Sequence, residues 1–214
     1  MNVFSRLLQT DCFRAVRWLL RFRHRKGYGI HSPFAFSFVR DVVYETTPFY
    51  AYTPLHRLRA RASSPLREKD DRLLFRLANF SEARRIVVVG EEADVETSVA
   101  YIRAARPNAQ IAVVPFADDA ALTDAISQMQ AVDLAYLAPR VGTNWGSAWA
   151  TVMQNASPRA VLAVYGIGFE WASCRTWHEA IADNRVRVTF NLSDFGVAFL
   201  ESRFFKEDHI VDYW

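Results

Sequence analysis

The stretch that decides the fold reads Arg85-Ile86-Val87-Val88-Val89-Gly90-Glu91-Glu92-Ala93-Asp94-Val95-Glu96-Thr97. Its β-branched run, Ile86 to Val89, is typical of a buried parallel strand. Gly90 follows at once, where the chain must turn sharply, and a helix can begin near Asp94. A strand, a glycine turn and a helix start form the frame of a nucleotide-binding sheet.

The chemistry of this turn differs from that of a working phosphate or cofactor turn. Such a turn needs further glycines, because the backbone must approach the ligand closely. Here the acids Glu91, Glu92 and Asp94 take that space. The adjacent pair Glu91 and Glu92 is either a general acid–base couple or a solvated surface turn. The frame therefore indicates a fold, whereas the substitutions argue against the usual ligand.

Length and composition suggest one large domain, or one domain with an extension. The chain has 214 residues, 51% of them hydrophobic, and only two cysteines far apart, which does not suggest a disulfide framework or a zinc site. No apolar run reaches the roughly 18–20 residues that a transmembrane helix needs. Asp11, Arg14 and Arg17 interrupt any signal-peptide core. We expect a cytoplasmic protein with no transmembrane segment and no bound metal.

Charge is divided unevenly along the chain. Residues 1–85 hold 17 Lys and Arg against 7 Asp and Glu, a balance of +10, whereas residues 86–214 hold 9 against 16, a balance of −7. Either the two parts neutralise each other across an internal interface, or the basic part meets an anionic partner.

The first 80 residues have helical patterns without strand signals. Ser32-Pro33 is a favourable helix start, with Ser as the N-cap and Pro at the first helical position. Helices are predicted at 3–25, 33–45, 53–62 and 68–80. We place the boundary between an N-terminal helical segment, residues 1–82, and a sheet domain, residues 83–214. We expect the segment to cover the carboxyl ends of the sheet strands.

From residue 85 onward, strands and helices alternate, which indicates a parallel α/β sheet. Strands are predicted at 85–89, 110–115, 132–137, 159–165, 185–191 and 195–201, and helices at 94–106, 118–129, 145–156 and 171–183. The last two strands should form a closing antiparallel pair at one edge of the sheet. The tail from His209 either adds a short strand or packs as a plug.

A resemblance to a known family rests on this order and on Lys26-Gly27-Tyr28-Gly29-Ile30-His31-Ser32-Pro33-Phe34. The motif is similar to the Gly-His-Gly-Ile-His-Ser-Pro-Phe signature of a group of bacterial methyltransferase-like proteins. These are related to the catechol O-methyltransferase type within the class I S-adenosylmethionine-dependent methyltransferases. The resemblance implies a Rossmann-like α/β fold, S-adenosylmethionine as cofactor, and a small-molecule hydroxyl or amine as methyl acceptor.

The chain departs from that family at each expected cofactor contact. Val88 stands in place of the acid in the first strand, and Asp94 in place of the second turn glycine. Pro115 follows the second strand without a ribose-binding acid, and Ala138 replaces an Asp after the fourth. Tyr165-Gly166 stands where the metal-using relatives carry Asp-Asp. Lost carboxylates remove charge-assisted hydrogen bonds and any hold on a hard cation.

The sheet should also be one strand short. About 16 residues separate Pro115 from Val132. One helix fits between them, but a third strand with a second crossover does not.

Five residues are candidates for a site if cofactor binding survives. Gly90 and Thr97 keep the family pattern, and Glu91 and Asp118 lie close to expected contacts. His31 is the candidate general base, although a structural role at the helix start fits it as well. We assign no metal ligand.

Three functions remain open. The first is a divergent methyltransferase-like protein with a degenerate cofactor site and no cofactor, which binds or assembles with a protein or small molecule. The second is an active S-adenosylmethionine-dependent methyltransferase acting on a small-molecule hydroxyl or amine. The third is association with nucleic acid through Arg57, Arg59 and Arg61, near the aromatic residues Tyr50 and Tyr52.

Overall fold

A computed structural model describes residues 29–62 and 64–213. Seven strands form one sheet in the order β2-β1-β3-β4-β6-β5-β7. The strands are β1 Arg85–Val89, β2 Gln110–Val114, β3 Val132–Leu137, β4 Ala156–Tyr165, β5 Val188–Asn191, β6 Phe195–Phe199 and β7 Glu207–Ile210. Strand β6 runs antiparallel to both β4 and β5, whereas all other neighbouring strands are parallel. The fold is a Rossmann-like α/β fold, as the alternating pattern predicts.

Helices cover both faces of the sheet. They are α1 Pro33–Phe38, which continues as a π-helix over Val39–Val43, α2 Tyr52–Arg59, α3 Glu68–Phe80, α4 Glu92–Ala105, α5 Asp119–Met129, α6 Gly146–Gln154 and α7 Trp171–Ile181. Buried side chains of α1, α3 and α4 share one core with the sheet, and those of α5, α6 and α7 share the core on the other face. Helix α2 packs farther out, against α3 and α4.

The loss of a strand is confirmed. Helix α5 alone fills the connection between β2 and β3, and β1 pairs with β2 on one side and with β3 on the other. Within the described residues β2 is therefore an edge strand of the sheet.

The opposite edge differs from the prediction, because the antiparallel pair is not outermost. Strand β7 pairs in parallel with β5 and becomes the edge itself. Thr189 Oγ1 donates to Asp208 Oδ1 at 2.6 Å, and the rings of Phe190 and His209 stack with centroids 5.2 Å apart. The tail then turns inward, and Tyr213 is buried. The tail thus both adds a strand and packs into the core.

The N-terminal helices lie on a face of the sheet rather than over its carboxyl ends, so that expectation is wrong for most of the described segment. Phe34 and Phe38 of α1 contact Phe199 of β6, with ring centroids 5.1 and 5.0 Å apart. Only the start of α3 reaches the carboxyl edge, where Arg67 meets Asp194 at 3.6 Å. A face of large apolar side chains offers more area to bury than a strand edge does, which favours this placement. The predicted helix at 3–25 lies outside the described residues.

Within the ranges that the structure covers, no helix combines the length and apolar character needed to cross a bilayer.

Candidate cofactor crevice

The crevice lies where the sheet reverses its order. Strand β1 sits between β2 and β3, and the helices that follow β1 and β2 pack on opposite faces. In an open α/β sheet, ligands bind at such a point, outside the carboxyl ends of the strands. Gly90 directly follows β1, and Ala138 directly follows β3. These two residues form the floor of the crevice.

The backbone at this floor remains paired beyond the strand ends. The Gly90 N–H donates to the Val114 carbonyl at 2.9 Å, and the Ala138 N–H donates to the Val89 carbonyl at 2.8 Å. Three neighbouring chains therefore stay hydrogen-bonded into the turn. These amides are used within the sheet and do not point toward a ligand.

Gly90 is required by the packing of the protein's own side chains. A Cβ at this position would lie 2.7 Å from Val95 Cγ1 and 3.2 Å from the Ala138 Cβ. Val95 is fully buried, at 0% exposure. The space beside the glycine, which a cofactor would need, is thus filled by an apolar contact between α4 and the end of β3.

An ion pair crosses the crevice above this contact. Arg140 Nε donates to Asp94 Oδ2 at 2.5 Å, which joins the loop after β3 to the first turn of α4. The hydrogen bond to Asp94 raises the pKa of the Arg140 guanidinium above its usual range. Asp94 stands where the resemblance implies a second glycine. A side chain and its partner therefore take the place of a close backbone approach.

The other candidates for cofactor binding are spread over the same edge. Glu91 occupies the N-cap position of α4 without a capping hydrogen bond from its side chain. Thr97 is buried within α4. Asp118 caps α5, because its Oδ1 accepts from the Ala121 N–H at 2.8 Å. Of these residues, Gly90 and Glu91 are brought together at the crevice, and Asp118 follows the neighbouring strand.

The end of β4 is also occupied by protein groups. A Cβ at Gly166 would lie 2.7 Å from the Phe169 ring, and the Gly166 N–H donates to the Asp194 carbonyl at 2.6 Å. This is where metal-using relatives carry paired acids, according to the resemblance. Among residues 29–62 and 64–213, no group of three His, Cys, Asp or Glu side chains is close enough to hold a metal ion.

His31 lies far from the crevice along the strand direction. It is exposed and comes just before α1, whose Phe34 packs on Phe199. Phe199 pairs with Val161 in the first part of the ladder between β4 and β6, whereas Gly90 lies beyond the carboxyl end of β1. The structure does not bring His31 to Gly90.

The basic and aromatic residues near residue 57 are partly used inside the protein. Arg59 forms an ion pair with the buried carboxylate of Asp71, and Tyr52 is buried against Phe75. Tyr50, in contrast, is 85% exposed. Association with nucleic acid therefore stays a prediction, with fewer free groups than the sequence indicates.

A buried acidic pair at the start of α3 was missed by the sequence analysis. Asp70 accepts from Arg67 Nε at 2.8 Å, and Asp71 accepts from Ser98 Oγ at 2.7 Å while pairing with Arg59. Both carboxylates are at 0% exposure. Burial raises the pKa of Asp71 to about 6.

Helical spacing carries the signal that would have identified this pair. Asp70 precedes Leu74 by four residues, and Asp71 precedes it by three, so all three share the face that packs on the sheet. A charged pair on a buried helical face indicates dedicated partners. Arg59 and Arg67 supply them by tying α2 and the loop before α3 to the core. The pair therefore has a structural explanation.

Comparison with known proteins gives a fold without a sequence family. No model of a known protein family matches this sequence, and no curated protein sequence matches it. Solved structures do match. A putative caffeoyl-CoA O-methyltransferase from Staphylococcus aureus is 6% identical, covers 71% of this chain and 93% of its own, and has a TM-score of 0.53.

Two further structures lie in the same range. A methyltransferase from Geobacter sulfurreducens is 12% identical, with 74% of this chain and 92% of that chain covered and a TM-score of 0.50. An O-methyltransferase from Bacillus cereus in complex with SAH is 13% identical, with 77% and 96% covered and a TM-score of 0.48. At such identities the likeness shows the fold. The chain has a methyltransferase-like, Rossmann-like architecture.

Proposed function

We propose that this protein uses the methyltransferase-like fold without binding S-adenosylmethionine, and that it acts by binding a protein or a small molecule. The observation that carries the proposal is the closed crevice. Val95 and Ala138 fill the space beside Gly90, and Arg140 pairs with Asp94 across the opening. Methyl transfer would need the cofactor in this position, because the strand ends on either side are also occupied.

The polar contacts that a nucleoside needs are also lacking at the described strand ends. Asp118, the nearest acid after β2, already caps α5. Without a free carboxylate, the paired ribose hydroxyls lose a charge-assisted acceptor, which contributes roughly 1.5–3 kcal/mol. The apolar floor replaces further hydrogen bonds with contacts that a polar ligand cannot use. Steric closure and lost polarity therefore act in the same direction.

Calorimetric titration with S-adenosylmethionine and S-adenosylhomocysteine tests the proposal. We expect no binding tighter than about millimolar, which corresponds to roughly −4 kcal/mol. Micromolar binding of either ligand to the full chain would overturn the proposal and would favour an active methyltransferase.

A pair of matched variants separates the ion pair from the rest of the crevice. Arg140→Ala removes the guanidinium that crosses the opening, and Arg175→Ala removes one with similar exposure from a surface pair with Glu179 on α7. We expect neither variant to gain affinity, because Val95 and Ala138 still fill the floor. A gain in Arg140→Ala alone would show that the ion pair is a removable gate over an intact site.

A further inference from the structure

The edge strand β2 lacks the usual protection against pairing with another chain. Its five residues, Gln-Ile-Ala-Val-Val, include no charged side chain. Proteins normally guard an edge strand with charges, prolines or bulges, because unpaired N–H and C=O groups invite a further strand. Within the described residues β2 pairs with β1 alone. This open edge results from the missing third strand.

Hydrogen bonds to β1 show which backbone groups of β2 point outward. The Gln110 N–H donates to the Arg84 carbonyl at 2.8 Å, and the Val114 carbonyl accepts from the Gly90 N–H at 2.9 Å. Consecutive residues of a strand direct their backbone groups to alternate sides. Ile111 and Val113 therefore direct two N–H and two C=O groups away from the sheet.

An apolar groove with charged ends runs beside this edge. Leu58 of α2 and Val113 of β2, each 39% exposed, line it together with Val99 and Ala100 of α4. The groove has a volume of about 350 Å³. Such a groove next to unpaired backbone offers side-chain contacts to any strand that joins the sheet.

Charge changes sign along the exposed stripe of α4. Glu92 and Glu96 stand at the N-terminal end of the stripe and Arg103 stands at the C-terminal end, at spacings that keep them on one helical face. No ion pair within residues 29–62 and 64–213 joins any of the three. An acidic end, an apolar centre and a basic end are complementary to the same stripe turned by 180°.

We propose that this surface is the interface between two copies of the chain, in which the β2 strands pair antiparallel about a two-fold axis at Ala112. Ile111 then lies opposite Val113 of the second copy, and these residues exchange four hydrogen bonds in all. Ala112 meets its own counterpart at the non-hydrogen-bonded position, where Cα atoms approach to about 4.5 Å. A small side chain suits this close approach.

The two-fold axis stands perpendicular to the sheet, so both α4 helices lie on the same face and run antiparallel. Glu96 of one copy then faces Arg103 of the other, twice in the dimer. This self-complementarity favours a second copy over an unrelated partner, because an isologous interface uses the same patch on both subunits. The two sheets join into one continuous sheet. The proposal does not depend on whether the crevice binds a cofactor.

Sedimentation velocity over a concentration series tests the dimer. We expect the full chain to sediment with the mass of two chains and to dissociate on dilution. Val113→Glu places two like charges beside the paired strands and should give a monomer with an unchanged circular dichroism spectrum. A wild-type chain that stays monomeric at every concentration, or a folded Val113→Glu variant that still dimerises, would overturn the proposal.

A charge-swap series tests the orientation of the two copies. Glu96→Arg and Arg103→Glu should each weaken self-association by about tenfold, because each creates two like-charge contacts. The two single variants mixed together should recover the dimer, since every Glu then faces an Arg across the interface. The double variant should recover as well. A swap of Arg175 and Glu179, an exposed pair on α7, is the matched control and should change nothing.

Recovery in the mixture is the outcome that a purely internal role of these charges cannot produce. If the single variants associate as well as the wild type, or if the mixture fails to recover, the antiparallel arrangement is wrong.

Discussion

Asp71 is the residue whose charge responds most clearly to folding. Its carboxylate lies in the core between Ser98 and Arg59, and burial raises its pKa from 3.8 to about 6. The folded state therefore binds more protons than the unfolded state between these two values. As pH rises through this window, the contribution of Asp71 to the free energy of unfolding falls.

The variant Asp71→Asn removes this titration and makes it measurable. From pH 4 to pH 7, the free energy of unfolding of the variant relative to the wild type should rise by about 1–3 kcal/mol, because only the wild type loses a bound proton on folding. Urea unfolding at a series of pH values gives this difference.

Asp41→Asn serves as the control for this series. The hydrogen bond from Arg40 lowers the pKa of the Asp41 carboxyl, so the corresponding difference should not rise with pH. A flat difference for Asp71→Asn would contradict the burial of an ionisable carboxylate at this position.

Among the elements, the C-terminal tail depends on one buried tyrosine. The Tyr213 hydroxyl donates to the Lys69 carbonyl at 2.6 Å, and Lys69 Nζ donates to the Tyr213 carbonyl at 3.0 Å. These bonds tie the residues after β7 to the start of α3. The tail is thereby held at both its strand and its end.

Two substitutions separate the hydrogen bond from the packing. Tyr213→Phe should lower the free energy of unfolding by about 1 kcal/mol, since it removes one hydrogen bond. Tyr213→Ala should lower it by about 3–5 kcal/mol, because it also leaves a cavity. Phe205→Ala, at an 81% exposed position before β7, is the control and should have little effect. Equal losses for Tyr213→Phe and Tyr213→Ala would show that the ring is not packed.

Local pattern predicted the elements with strong periodicity and missed those that depend on distant partners. The run from Ile86 to Val89 and the spacing between Pro115 and Val132 fixed β1 and the missing strand. Strand β7, Glu-Asp-His-Ile, has no continuous apolar run, and it forms because β5 offers a free edge. Its existence follows from pairing over a distance that periodicity does not measure.

The crevice was predictable in part for the same reason. Val88, Asp94 and Ala138 could be read from the sequence as departures from a cofactor turn. The contact of Val95 with Gly90 and the pairing of Arg140 with Asp94 needed coordinates, because they join residues more than 40 positions apart or depend on side-chain direction. The role of His31 remains a prediction that the structure does not test.

For the whole molecule, burial predicts an order of opening. Strand β3 lies between β1 and β4, and most of its residues are buried. Helix α2 spans eight residues and buries only Tyr52 and Leu55. Regions with few buried contacts open locally, whereas central strands open only on global unfolding.

Hydrogen exchange followed by mass spectrometry measures this order. Amides of β3 should exchange at a rate set by global unfolding and should respond to low concentrations of denaturant. Amides of α2 should exchange faster and respond little, because a local opening exposes little surface. Equal protection of α2 and β3 would indicate that the helical segment and the sheet unfold as one cooperative unit.

The charge split along the chain also changes meaning at this scale. Of the +10 balance of residues 1–85, residues 29–85 account for +4, from 10 basic and 6 acidic residues, and residues 1–28 account for the remaining +6. Between the described parts, ion pairs such as Arg85 with Asp133 and Arg67 with Asp194 cross the boundary. Internal neutralisation of the two halves therefore remains a prediction for the first 28 residues.

The packing of Val95 on Gly90 bears on how readily the crevice could be reopened by mutation. Shortening Val95 would leave a cavity in the core and cost stability, yet it would supply no ribose acceptor and would leave Arg140 in place. Replacing Arg140 alone would leave the floor filled. A return to nucleoside binding therefore requires several substitutions, and the first of them confers no affinity. A mutational path with costs before any gain runs easily in one direction only, so the closed crevice acts as a ratchet in the history of the chain.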